Sequence, residues 1–288
     1  MRIDRRAVAA ALVLLLIAVT TAGPVAATPA GAHRVISLNP SLTAILVAIG
    51  AGDRLVGVDD FSAKQEPATA GLPRVGGLYD PSLESVVALR PDLVVLVPSA
   101  QQRDLRDQLR AAGISVLEID PVTFDDVLAS IERLGERVGR SEAARARVDE
   151  IRRVRGEVER AANGRPRARA VLVLQREPLY VVGGGSFIDE MLRAAGADNV
   201  AAALPGSYPR AGLEWLVATA PDVILDAAAD AEPAAAYWSR WSSLPAVRGG
   251  RVVAVAPGLV TLPGPWLDRA LVALARAIEG EPAREGPQ

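Results

Sequence analysis

The chain has 288 residues, 50% of them apolar and 23% charged, with 32 basic residues against 34 acidic and a formal net charge of −2. That is the profile of a globular protein with an ordinary buried core, and without a long Lys/Arg run nothing draws its surface to nucleic acid. The chain has no cysteine and a single histidine, which excludes disulfides and removes the usual ligands of a zinc or copper cluster.

Residues 1–30 read as an export signal. MRIDRR is a basic start, AVAAALVLLLIAV is too short for a membrane span of about twenty residues, and Val25 and Ala27 precede a cut near Thr28. The Arg5-Arg6 pair hints at twin-arginine export. With no cysteine after the signal, the expected product is a freely soluble extracytoplasmic protein, not a lipoprotein.

An N-terminal α/β lobe is expected over 33–140. RVISL predicts a strand, NPS a break, and LTAILVAIG a helix stopped at Gly50. A second strand follows in RLVGVDD, then a proline-bearing loop and the sequence VGGLYDP. Asp80 is the expected cap of the next helix, with Pro81 in its first turn; Pro91 ends that helix and favours an extended Arg90. LVVLV, DLRDQLRAAG and ISVLEID then continue the alternation of strand and helix.

From 123 to 163 the composition turns to good helix formers without proline. Ala144, Val148, Ile151, Val154 and Val158 recur at three- and four-residue steps, one apolar stripe on a solvated helix. Residues 141–163 are therefore expected to form a linking strut. A second α/β lobe follows over 167–280, comprising AVLVL, the loop QREPLYVVGGGS, FIDEMLRAAG, the strand RVVAVA and a last helix from PWLDRALVALARAIEG, with a frayed tail at 281–288.

One pattern is written twice. LESVVALRPDLVVL at 83–96 and LEWLVATAPDVILD at 213–226 share a frame of Leu-Glu, Val-Ala and Pro-Asp before an apolar run. Two lobes on one plan each need such a helix-turn-strand junction, and this accounts for every shared position except Glu84 and Glu214. A glutamate in a helix's first turn gains only a few tenths of a kcal/mol from the dipole.

Catalysis finds little support. His33 lies close to the proposed cleavage site, where it makes a poor general base. GAGDRL lacks the third glycine of a dinucleotide loop, and VVGGGSFIDE lacks the Lys-Ser/Thr end of a phosphate loop. The N–H groups at the start of the helix after Ser186 offer an anion site, with a plain tight turn as the alternative. Aromatics make up only 4% of the chain, yet Phe61, Tyr79, Tyr180 and Phe187, and Tyr208, Trp238, Trp241 and Trp266, all fall in loops or at helix starts. That placement suits the lining of a cleft between lobes for several of them and loop packing for the rest.

RVISLNPSLTAILVAIGAGDRLVGVDDFS, LPRVGGLYDPSLESVVALRPDLVVL, VVGGGSFIDEMLRAAGADNVAA and LEWLVATAPDVIL together resemble the substrate-binding proteins of iron-siderophore, haem and cobalamin ABC importers, covering residues 34 to about 279 in order. The resemblance implies a class III α/β architecture, two Rossmann-like lobes with central parallel sheets joined by one long helix. It implies binding without catalysis or a resident cofactor, by a monomer that captures cobalamin, a ferric siderophore or haem in the cleft and delivers it to a permease dimer in the inner membrane.

SLNPSLT and GGGSFIDEML are most similar to cobalamin-type members, and Asn39, Pro40 and the eight aromatics are the implied cleft residues. Tyr208 lies six residues before Glu214, where such proteins carry a ligand-facing aromatic; the corresponding place before Glu84 is Leu78, a departure. Tyr79 lies near the axial tyrosine of haem-binding members, without the haem signature around it. Arg210 and Arg176 are candidates for an anionic chelate. Glu84 and Glu214 match the two glutamates, one per lobe, that pair with permease arginines.

Overall fold

The computed structural model describes residues 31–280; the readings of an export signal and a frayed tail lie outside them. The first half is a four-stranded parallel sheet of order β2-β1-β3-β4, from β1 (Val35–Ser37), β2 (Leu55–Val58), β3 (Leu93–Leu96) and β4 (Ser115–Glu118). The crossovers are α1 (Pro40–Ala48), α2 (Asp60–Gln65), α3 (Leu83–Ala88) and α4 (Arg103–Ala111). Two helices then leave the sheet, α5 (Phe124–Arg137) and the 22-residue α6 (Ser141–Ala162).

The second half repeats the plan. β5 (Ala168–Gln175) is central, flanked on one side by β6 (Tyr180–Val181) and β7 (Ala197–Asn199) and on the other by β8 (Val223–Asp226), with β9 (Val252–Ala254) at the far edge. Its helices are α7 (Phe187–Ala194), α8 (Leu213–Thr219), α9 (Ala234–Trp238), α10 (Pro245–Arg248), α11 (Pro257–Val260) and α12 (Leu267–Glu279). The sheet is parallel except for β6, which runs antiparallel to β5.

Period-two alternation assigns the layers. Val35, Leu93 and Val95, with Ala170, Leu172, Val223 and Leu225, face one continuous core filled by α1, α5, α6, α7 and α12. Ile36, Val94 and Leu96 face an outer layer that holds Val86 of α3 and Leu109 of α4. Val171, Val173 and Ile224 face the corresponding layer of the second half, with Leu216 of α8, Tyr237 and Trp238. The predicted stripe on α6 is buried at Ala144, Val148, Ile151 and Val158, and α6 touches elements of both halves. The strut is a shared wall of the core.

Local chemistry corrects three expectations. NPS does not precede helix α1 as a break but starts it: Asn39 Oδ1 accepts the Ser41 N–H at 2.9 Å and Pro40 is the first helical residue. Ser82, not Asp80, caps α3, its hydroxyl accepting the Ser85 N–H at 3.2 Å. Arg90 is left-handed instead of extended, with φ +48°, and its counterpart Ala220 has the same φ.

The duplicated Pro-Asp has a physical cause. Asp92 accepts the backbone N–H groups of His33 and Arg34 at 2.9 and 3.1 Å, while Arg34 donates to the carbonyls just past α3, at Leu89 and Arg90. Asp222 accepts the Arg169 N–H at 3.2 Å, and Arg169 donates to the Thr219 carbonyl of α8 at 2.6 Å. In each half an aspartate anchors the start of the central strand and an arginine at that start caps the helix end.

Candidate functional site

Open α/β sheets bind ligands outside the carboxyl ends of their strands. In the first half those ends carry Asn39 after β1, Phe61 after β2, Ser99 after β3 and Val122 after β4. The halves meet at this level: Phe187 N–H donates to the Val122 carbonyl at 2.9 Å, and Phe124 N–H donates to Glu190 Oε1 at 3.1 Å.

Six large apolar side chains among the described residues are well exposed: Phe61, Tyr79, Val87, Val122, Tyr208 and Val217. Phe61 sits in the first turn of α2, above a buried cluster in which Asp59 accepts its N–H at 2.9 Å and Thr43 joins the Ser37 and Ser62 hydroxyls. Tyr79 is 62% exposed at the mouth of a cavity of about 210 Å³ that also touches Leu38, Asn39, Val97, Ser99 and Gln102. Tyr208 lies close to Ser186, one residue from the Val122–Phe187 link; partial burial pushes its phenol up, and the Ser186 hydroxyl offsets some of that rise. Val87 and Val217 lie elsewhere, each three residues after Glu84 or Glu214.

The second half contributes a groove of about 310 Å³ whose wall includes Leu179, Arg210, Leu213, Tyr237 and Trp241. Arg210 is exposed and its backbone pairs with Tyr180, which is half-buried. Tyr237, Trp238 and Trp241 pack ring to ring with centroids 5.1 to 5.4 Å apart.

Several expected cleft residues are placed otherwise. Phe187, 2% exposed, belongs to the common core. Trp238, 1% exposed, is the largest fully buried side chain, and its indole donates to Asp226 Oδ2 at 2.5 Å. Arg176 is buried against the same carboxylate at 3.0 Å and donates to the Glu232 carbonyl, so its charge is already met and it is not open to a chelate. Trp266 lies between the guanidinium groups of Arg147 on α6 and Arg269, 5.1 and 4.2 Å from its ring centroid, and fastens α12 to the strut. Pro40 serves the α1 start.

At the start of α7, read as a tight turn or an anion site, most of the free N–H groups are already bonded. Ser186 Oγ accepts the Asp189 N–H, Asp189 accepts the Gly185 N–H, and the Phe187 N–H is bonded to Val122. The tight-turn reading holds.

Glu84 and Glu214 are both exposed in the first turns of α3 and α8. From Leu83 and from Leu213 the next six residues show the same succession of half-buried, exposed and buried positions. Each helix hence presents a glutamate and, one turn on, a valine near 40% exposed.

Sequence reading overlooked Gln102 and Val122. Both follow a parallel strand at its carboxyl end, and that position was the available signal.

The chain belongs to the periplasmic binding protein family, which it matches over residues 35–257. It is 30% identical over 261 residues to the ABC transporter substrate-binding lipoprotein YvrC of Bacillus subtilis, covering 88% of this chain and 82% of that one. Among solved structures, the periplasmic vitamin B12 binding protein BtuF of Vibrio cholerae superposes with a TM-score of 0.75 at 25% identity, over 86% of this chain and 97% of BtuF. A periplasmic haem-binding protein from Pseudomonas aeruginosa gives 0.72 at 27% identity, over 88% and 94%. The class III α/β architecture expected from the sequence is the architecture of these relatives.

Proposed function

We propose that this chain is the extracytoplasmic ligand-capturing component of an ABC importer, acting as a monomer, and that its cargo is a cobalamin. The carrying observation is the distribution of exposed apolar groups. Phe61, Tyr79, Val122 and Tyr208 gather at strand ends and at the seam between halves, where flat apolar faces suit a macrocycle. The other two, Val87 and Val217, accompany the glutamates assigned here to permease docking. Kinship with vitamin B12 binding proteins supports the cargo, and among the described residues no constellation favours an enzyme on the same lobes. A ferric siderophore meeting the exposed Arg210 is a cargo of the same transporter class.

The test is titration of purified protein with cyanocobalamin, haemin and ferric siderophores, followed by visible spectra and tryptophan fluorescence. Saturable binding of cyanocobalamin, with quenching dominated by the half-buried Trp241, is the expected result. Tyr79 favours a second reading, because its exposed phenol at a cavity mouth is free to approach a haem iron. A Soret shift with haemin that is lost in Tyr79→Phe would establish that reading and displace the first.

A further inference from the structure

Gln102 lies just before α4, 3% exposed, on the wall of the 210 Å³ cavity. Its Nε2 donates to the Leu78 carbonyl. A carbonyl only accepts, so this bond fixes the orientation of the amide and leaves Oε1 as the free half. Oε1 is one of two buried side-chain polar atoms among the described residues without a partner. A buried acceptor left unmatched is a cost to the free protein that a bound donor relieves.

The rest of the cavity narrows what that donor is. No charged side chain lines it, so a carboxylate entering it would lose water, meet no cation and face the Gln102 oxygen. Asn39, which also lines the cavity, has committed Oδ1 to the Ser41 N–H and keeps Nδ2 to donate, and the Ser99 hydroxyl, whose oxygen accepts the Gln102 N–H, is a second donor there. The walls thus offer an unmatched acceptor together with donors, the complement of a primary amide. The volume equals about seven water-sized groups, enough for such an arm and its stem.

We propose that this cavity is the subsite for a neutral primary-amide arm of the cargo, with its N–H donated to Gln102 Oε1 and its carbonyl accepting from Asn39 Nδ2. The inference rests on the cobalamin reading and deepens it: a corrin ring bears primary amides around its edge, whereas a haem bears carboxylates.

The experiment titrates native protein and Gln102→Met with cyanocobalamin and with its monocarboxylates, in which single peripheral amides are hydrolysed. We expect Gln102→Met to bind cyanocobalamin about tenfold more weakly with an unchanged far-ultraviolet spectrum. One monocarboxylate should bind native protein at least about tenfold more weakly than the parent, with that penalty reduced in the variant. Equal affinity of both proteins for cyanocobalamin, or indifference of native protein to every monocarboxylate, overturns the subsite while leaving the cobalamin reading intact. Failure of native protein to bind cyanocobalamin overturns both. If the variant does not fold, the monocarboxylate series on native protein decides the question alone.

Discussion

At the scale of single residues, the duplicated frame separates into positions that fold the chain and positions that do not. Arg90 and Ala220 stand at φ +48° because each helix must turn sharply before Pro-Asp to enter its strand. A side chain there clashes with its own backbone, and glycine does not. Ala220→Gly should therefore raise stability by about 0.5–1 kcal/mol in denaturant unfolding, against the usual cost of glycine elsewhere. Tyr237 gives a pH-dependent prediction. Burial, followed by its hydrogen bond to Glu177, pushes its phenol up to about 12 from the ordinary 10. The folded state thus holds the proton more tightly, so this contribution is complete below pH 10 and is lost as pH rises towards 12. Thermal scans across that window should show a steeper fall for native protein than for Tyr237→Phe. Glu84 and Glu214, by contrast, have no partner in the folding devices around them, where the anchors are Asp92 and Asp222 and the caps are Arg34 and Arg169.

Whole elements were legible where their hydrophobic period was long. The stripe on α6 needs only the spacing of five residues to be read, and four of them are buried. Ile151 is fully buried there, so Ile151→Ala should cost about 2–4 kcal/mol and lower the melting temperature. β6 and β7 escaped notice because the two-residue YV sits in a glycine-rich loop and ADN is mostly polar, so neither carries an apolar run; their pairing with β5 is settled by contacts distant in sequence. The candidate site was legible in part for a related reason. Tyr79 and Tyr208 are exposed as their loop positions suggested, and Phe61 is exposed although it falls in the first turn of α2, but a helix start is not in itself a surface. Phe187 and Trp238 begin or end short helices that tuck into cores, and Trp266 meets Arg147 across more than a hundred residues of chain. Gln102 required the three-dimensional cavity, since its burial and its unmatched oxygen, which set it apart from the exposed Gln101, leave no mark in the sequence.

At the scale of the molecule, the two sheets share one core through α5, α6, α7 and α12, and α6 is part of that core instead of a free hinge. A shared core resists independent movement of the halves, because interiors are packed too densely to deform continuously. The separation between α3 and α8 is then nearly fixed, which suits docking onto a permease of fixed geometry better than wide closure around a ligand. Two rim charges on such a frame should act independently, each weak alone and both contributing to orientation. We therefore expect Glu84→Gln and Glu214→Gln each to lower ligand uptake with the cognate permease, and the double variant to lose the product of the two factors. Cargo affinity should be unchanged in all three, and stability should fall by no more than about 0.3–1 kcal/mol per site, the loss of a first-turn carboxylate at the helix dipole. Raising salt should shrink the difference between native and variant, as exposed ion pairs are screened. Uptake that follows stability alone, or that is unchanged in the double variant, would return both glutamates to the role of helix-end charges.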